Sequence, residues 1–417
     1  MKNRQDNKGR TFQAGEGQWK NGRYVFTYRD IGGKQQKAYS WTLLPSDRWP
    51  KDKKPDLCLR DKEKKIRADL HDNISIKGSK QTVFALCSSY VKTHSKNKRE
   101  NTLANYKTAL NILKNDSFGR LAISDINQEI AISFLQDLQD NKNYRYSSIQ
   151  NVRGVLRPAF EWALDQGYIR RNPFSFQLKN AITNDTVHRD ALTADELALF
   201  LDWVKNDAHY HIYYDMFYLQ FHTGLRVSEL CGLTIDDINF AAHFINVERQ
   251  LMRTRKMQLY IEKPKTISGS RKVPITPDVE ACLWHILDNR PVLDNEIVIT
   301  SLDPNQTMRA SGFLFFDKNN TPVVAQTVEN HYRWAEAKFK REVKNATDKK
   351  ISSHVARHTF CTLRVKEGMQ PVTLQKIMGH NSIRTTLGWY THLEEGDIIT
   401  EALELMKNDN SVMKYEG

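Results

Sequence analysis

Long apolar runs are missing from this chain of 417 residues. No stretch approaches the roughly 18 apolar residues of a membrane span, so no spanning helix is expected. The opening MKNRQDNKGR carries charges with no apolar core behind them, so no secretory signal is expected either. Cysteine is scarce. Cys58, Cys87, Cys231, Cys282 and Cys361 are odd in number, scattered, and never in C-x-x-C spacing. That usage fits a reducing compartment, a bacterial cytoplasm, and argues against a zinc module. No Gly-rich phosphate cradle of the P-loop kind is present, so no nucleotide cofactor is implied. No internal repeat is visible.

Positive charge is plentiful. The net charge is +13, and residues 1–74 contribute +8 of it through 18 Lys and Arg against 10 Asp and Glu. Such a balance points to a polyanionic partner, and nucleic acid is the reading preferred over a merely solubilising surface. With 40% hydrophobic residues the chain can still build ordinary cores. Its length suits two or three domains.

The periodicity changes along the chain. Residues 18–29 alternate large apolar and polar side chains around Asn21-Gly22, a hairpin signal. Ile31-Gly32-Gly33-Lys34 marks a second turn, residues 37–43 a further strand, and residues 59–73 a helix. A small basic sheet of this kind can enter a major groove, with Lys20, Arg23, Tyr24 and Arg29 as candidate DNA contacts. Residues 82–94, 101–114, 127–141 and 147–166 then carry apolar residues at helical spacing, with Pro158 expected to kink the last. Lys92, Lys96, Lys98 and Arg99 cluster in the first loop between these helices. Residues 178–190 are polar and aperiodic, as in a linker. Thr193-Ala194-Asp195-Glu196 is a capping box flanked by a Leu192/Leu197 staple, which opens a third region running to about residue 406. There, helices are expected at 193–205, 210–223, 277–289 and 322–343, and short strands near 243–249, 258–262 and 271–274. The divisions expected are 1–74, 80–180 and 190–417. The class is multidomain α+β, with a sheet-plus-helix unit, a helical unit, and a mainly α unit holding a small antiparallel sheet.

The densest chemistry lies in residues 351–392. His354, Arg357 and His358 are spaced three and four apart, hence on one side of a helix. Gly379-His380 closes a second helix and Tyr390 follows. Upstream, Arg226 opens a helix after Thr223-Gly224, with Glu229 three residues on to orient it. Arg226 and Arg357 suit a phosphate because a guanidinium stays charged and forks onto two oxygens. They lie 131 residues apart, so only the fold can unite them. Tyr390 is the candidate nucleophile. A phenol of pKa near 10 is only about 0.1% ionised at pH 7, so it needs cationic neighbours and a proton acceptor such as His354.

In their order, H-x-x-R-H, G-H and Y-x-H with the upstream T-G-L-R-V-S-E-L resemble the signature of the tyrosine recombinase, or phage integrase, family over roughly residues 192–392. The resemblance implies an enzyme that cuts and rejoins duplex DNA through a 3′-phosphotyrosine on Tyr390, with no cofactor. It implies that Lys265 in the K-T-x-S-G segment is the general acid for the 5′-oxygen, with Lys263 and Lys272 as alternatives. That segment, 262–274, has the look of a hairpin around Ser268-Gly269. His380 matches the second histidine of the family, a donor to the phosphate, and His358 and His392 are supporting. Residues 80–180 fall where the family has its SAM-like core-binding domain. Residues 1–74 resemble the arm-site DNA-binding domain of conjugative-transposon integrases. The family works as a tetramer on arm-type and core-type sites through a Holliday junction, and a helix at 398–406 would pack on a neighbour. An excision factor or a host DNA-bending protein would be the accessory partners.

Three rivals stand beside this reading. His354 and His358 are i,i+4 as in zincins, but Val355 stands where the zincin motif needs Glu. A DNA-binding module with a vestigial site is the second. A nicking-closing enzyme resembling type IB topoisomerases is the third.

Overall fold

Alternation along one strand decides how the chain's first layer is built. The computed structural model describes residues 4–96, 98–186, 190–264, 266–302 and 308–390. Strands β1 (Glu16–Gln18), β2 (Tyr24–Arg29) and β3 (Gln35–Ser40) form an antiparallel sheet in that order. The Asn21-Gly22 turn closes as expected, with Gly22 N–H donating to Trp19 O at 2.9 Å and Gly22 at φ +84°. Tyr24 and Phe26 point into an apolar core with Leu43, Leu59 and Ile66, partly from helix α1 (Leu59–His71). Arg23, Thr27 and Arg29 are out of step with them and take the outer face.

A short helix α2 (Ile76–Ser79) leads to α3 (Val83–His94), α4 (Glu100–Asn115), α5 (Gln128–Asp140) and α6 (Tyr146–Asp165). Thr82 and Asn127 cap α3 and α5 by accepting from Ala85 N–H and Ile130 N–H. These helices enclose a second core that includes Phe118, Phe160 and Phe174. Pro158 sits inside α6, which continues through it for 20 residues. The linker expected at 178–190 starts later than its composition suggested. Leu178, Ala181 and Ile182 are buried, Gln136 donates to Ala181 O, and Gln139 pairs with Thr183 in both directions.

The chain divides into two compact units, residues 1–187 and 188–417. The second begins with α7 (Ala194–Asn206), whose capping box and buried Leu192 and Leu197 appear as expected. Then follow α8 (Tyr214–Thr223), α9 (Val227–Cys231), strands β4 (Ile238–Asn239), β5 (Phe244–Val247), β6 (Gln250–Arg253), β7 (Leu259–Glu262) and β8 (Arg271–Pro274), and helix α10 (Pro277–Asp288). Strands β9 (Ile299–Thr300) and β10 (Arg309–Ala310) precede α11 (Ala325–Glu342), α12 (Ser353–Lys366), α13 (Pro371–Met378) and α14 (Ile383–Tyr390). Phe200, Phe217, Phe221, Tyr332 and Phe339 fill the middle of this helical core. The whole is multidomain α+β, as expected. No helix among the described residues is long and apolar enough to cross a membrane.

One expectation is corrected. Residues 262–274 do not pair as a hairpin around Ser268-Gly269. Strand β7 pairs with β6 and β8 with β5, so the two-stranded ladder turns at Thr254–Gln258. Val247 faces Arg271 and Gln250 faces Glu262. The described residues between β7 and β8 therefore belong to a connection between two ladders. The Ser-Gly signal marks a short 3-10 turn, Ile267–Gly269, inside that connection.

Candidate active site

The end of helix α13 is where the distant arginines meet. An α-helix leaves its last carbonyls without intrahelical donors. Here three guanidinium groups supply donors to three consecutive carbonyls. Arg271 Nε donates to Ile377 O at 2.5 Å, Arg357 Nη2 to Met378 O, and Arg226 Nη2 to Gly379 O at 3.2 Å. The negative end of a helix dipole favours cations at this place. Gly379 is in the left-handed region at φ +64°, and a Cβ there would lie 2.8 Å from Ser268 O and 2.9 Å from Arg271 Cδ. Glycine is required twice over, by backbone and by space.

Each arginine is fixed from its own side. Arg226 is the N-cap residue of α9 and donates from Nη1 to Glu229 Oε1 at 2.7 Å, while Glu229 Oε2 accepts from the Arg226 backbone N–H at 2.9 Å. Arg357 lies on α12 and donates from Nη1 to Gly224 O at 2.5 Å, the carbonyl of the αL residue that ends α8. A Cβ on Gly224 would collide with Phe360 at 2.5 Å, so this glycine lets α8 and α12 approach. Arg271, a residue that sequence reasoning did not select, forks onto Glu229 with 3.0 and 2.8 Å contacts. Its only signal was position: a charged residue on the inward phase of a short strand, where β8 reads buried, exposed, buried, exposed.

Glu229 is 0% exposed and accepts from both Arg226 and Arg271. Burial alone would raise its carboxyl, but hydrogen bonds from Arg271 and the charges of Arg271, Arg226 and Arg357 hold it at about 2. Arg357 is pushed down to about 9, by burial first and then by the charge of Arg226. It still carries its proton at neutral pH. His380, next after Gly379, is held down to about 4 by burial and then by the charges of Arg357, Arg226 and Arg271. It is a neutral imidazole at pH 7, with Nδ1 3.0 Å from Thr386 Oγ1. The cluster carries three positive charges against one carboxylate. Arg226 is the member whose side chain remains 35% exposed, and so can meet an incoming anion.

The other expected residues fall into place unevenly. His354 is exposed near the start of α12, its ring 6.0 Å from that of His358. The Tyr390 hydroxyl donates to Met369 O, in the turn before α13. It therefore sits at the opposite end of α13 from the arginines, about 12 Å away by the length of an eight-residue helix. The expectation of a phenol lined up behind the arginines is not met in this state. Lys265, His392 and the helix expected at 398–406 lie outside the described residues. Lys272 points to the face of β8 opposite Arg271 and sits over the Phe244 ring at 4.1 Å.

In the first unit, Lys20 and Arg29 are exposed on the sheet's outer side. Arg23 lies over Tyr39 at 4.6 Å and Trp41 at 5.7 Å. Tyr24 is corrected. It is 3% exposed, and its hydroxyl donates to Asp6 and accepts from Arg10, so it belongs to the core and not to a DNA surface. Period two should have excluded it, since residues 23 and 29 share a face that 24 cannot. The same register adds Lys37, opposite Thr27, to the outer face. Lys92, Lys96 and Lys98 are exposed around the α3–α4 loop, and Arg99 is half-buried at the N-cap of α4.

A carboxylate-braced cluster of guanidiniums, with a histidine beside it, has the charge and donor geometry that suit a phosphate group, as phosphoryl transfer requires. The phage integrase family matches residues 190–396, the DNA-binding domain of the Tn916 integrase matches residues 1–70, and the phage integrase SAM-like domain matches residues 82–182. The transposase from transposon Tn916 of Enterococcus faecalis is 35% identical over 406 residues, 97% of each chain. The transposase from transposon Tn1545 of Streptococcus pneumoniae is equally similar, 35% over 97% of each. Among solved structures, the Tn1549 transposon integrase in complex with a circular intermediate DNA superposes with a TM-score of 0.71 at 32% identity, covering 78% of this chain and 99% of that one. The chain belongs to the phage integrase family, the tyrosine recombinases. It is a site-specific recombinase, and DNA is its partner.

Proposed function

We propose that this chain integrates and excises a mobile element, a conjugative transposon in preference to a phage, and that Arg226, Arg357, His380, His354, Lys265 and Tyr390 carry the strand exchange. The Tyr390 oxygen attacks a backbone phosphorus, forms the 3′-phosphotyrosine bond and expels the 5′-oxygen. The phenolic proton passes to His354, and Lys265 protonates the departing oxygen. Rejoining runs in reverse, with a 5′-hydroxyl attacking the phosphotyrosine, so no cofactor or external energy is consumed. Arg226 and Arg357 hold the non-bridging oxygens, neutral His380 donates a further hydrogen bond, and Glu229 orients Arg226.

The observation that carries this reading is the convergence of Arg226 and Arg357 on neighbouring carbonyls at one helix end. Two charges fixed at that spacing can share one phosphate. Residues 1–74, 80–180 and 190–417 act as arm-binding, core-binding and catalytic domains. Lys20, Arg23, Arg29 and Lys37 contact arm-site DNA, and Lys92, Lys96, Lys98 and Arg99 contact the core site. A tetramer forms on two DNA sites in the cytoplasm, with an excision factor or a DNA-bending protein of the host as accessory. The test is a nicked suicide duplex incubated with the purified chain. A covalent adduct that mass spectrometry maps to Tyr390 is expected. An adduct elsewhere, or none, refutes the assignment.

A further inference from the structure

The pair at the centre of the site has a partner that the reaction scheme does not use. Arg271 has a side chain only 4% exposed, and it spends four of its N–H donors inside the protein: two on Glu229, one on Ile377 O and one on Gly269 O at 3.1 Å. None of these is free for a substrate. The cost of burying such a group is offset only by complete pairing, and here the pairing is with the carboxylate that holds Arg226.

We propose that Arg271 is a positioning residue for strand cleavage: by occupying one side of the Glu229 carboxylate it leaves Arg226 bound to that carboxylate through Nη1 alone, with one Nη2 donor on Gly379 O and the rest left for the phosphate. This rests on the assignment of Arg226 to phosphate binding. The geometry carries it. Glu229 Oε1 accepts from both guanidiniums, Oε2 accepts from Arg271 and from the Arg226 backbone, and no acceptor direction is left over. Without Arg271, Arg226 is the cation left beside Glu229, and its fork turns onto the carboxylate and away from DNA. Charge points the same way. Three guanidiniums and one carboxylate leave the cluster two positive charges, matching the doubly charged pentacoordinate phosphorus better than the singly charged diester. Losing Arg271 leaves one. Arg271 also ties the 3-10 turn Ile267–Gly269 to the site through Gly269 O, and Ser268 O of the same turn packs at Gly379.

The test measures single-turnover cleavage of a nicked suicide duplex, and DNA affinity separately, for the full chain carrying Arg271→Met, Arg271→Lys, Glu229→Gln and the Glu229→Gln/Arg271→Met pair. Arg271→Met is expected to slow cleavage about 100-fold with affinity changed by less than about threefold, and Arg271→Lys to fall between it and the wild type. In the Glu229→Gln background the same change is expected to cost less than about threefold more, because both act through one carboxylate. The acid limb of the Arg271→Met rate profile should move to higher pH, since Glu229 protonates sooner without its fork. Cleavage at the wild-type rate, a full additional loss in the Glu229→Gln background, or affinity falling in step with rate would each overturn the proposal. If Arg271→Met fails to fold, Arg271→Lys decides: slower cleavage at unchanged affinity supports positioning, and the wild-type rate refutes it. A wild-type chain that forms no adduct refutes the Arg226 assignment itself, whereas a normal adduct from Arg271→Met refutes only the role of Arg271.

Discussion

The two ends of helix α13 are built on opposite terms. At its C-terminal end, Arg226, Arg271 and Arg357 are clamped by Glu229 and by carbonyls from residues 224, 377, 378 and 379. At its N-terminal end the Tyr390 hydroxyl donates to Met369 O. The guanidinium cluster is assembled by the fold, and Tyr390, the proposed nucleophile, lies outside it. The arrangement separates binding from chemistry. A preorganised cation cluster stabilises charge with no reorganisation at the moment of reaction. Breaking a neutral hydrogen bond such as the one to Met369 O costs about 1 kcal/mol, well within what DNA contacts supply. On the proposed reading, cleavage then waits until Tyr390 is brought to the arginine end.

The largest expected effect breaks the nucleophile end alone. Tyr390→Phe should lower covalent adduct by at least about 10⁴-fold, measured with a suicide duplex, while gel-shift affinity for the same DNA stays unchanged. Next comes the arginine end. Arg226→Ala and Arg357→Ala should each slow single-turnover cleavage by about 10²–10³-fold. Of the two, Arg357→Ala should also lower the midpoint of urea unfolding more, because it strips donors from the buried carbonyls of Gly224 and Met378.

A smaller effect sharpens how the arginine end is held. Glu229 is depressed to about 2 against its ordinary 4.5, so the fold favours its charged form. That contribution, about 3 kcal/mol, is complete above pH 4.5 and is lost as the pH falls through about 2. Glu229→Gln should therefore remove part of the acid sensitivity of unfolding in that window, while lowering stability at pH 7. The smallest effect concerns the sheet. Lys37→Ala should reduce the salt slope of arm-DNA binding by about 0.9, and Tyr24→Phe should leave that slope alone while costing about 1 kcal/mol of stability.

The parts legible in the sequence were those written locally. The Asn21-Gly22 turn, the capping box at Thr193 and the helical spacing from residue 83 to 165 each state their structure within a few residues, and each formed. The T-G-L-R segment lies at the junction of α8 and α9 and the H-x-x-R-H segment in the first turns of α12, and both bring an arginine to the end of α13, so Arg226, Glu229 and Arg357 are neighbours. Arg271 escaped because nothing near it in sequence explains a buried charge. Its partners, Glu229 and Ile377, are 42 and 106 residues away. The 262–274 segment misled because a Ser-Gly pair signals a turn without saying which strands it joins. Long-range pairing of β8 with β5 decided that, and the loop was left over. Tyr24 takes the inner face by the alternation of its own strand, which is why it lies in the core and not on the proposed DNA-facing side.

The most direct test of the account is a structure of the full chain on a core-site duplex with vanadate bridging the cut ends. The prediction is one vanadate held by both Arg226 and Arg357, with the Tyr390 oxygen withdrawn from Met369 and bonded in line opposite the 5′-oxygen. A vanadate bound away from either arginine, or Tyr390 still donating to Met369 in the complex, would contradict it.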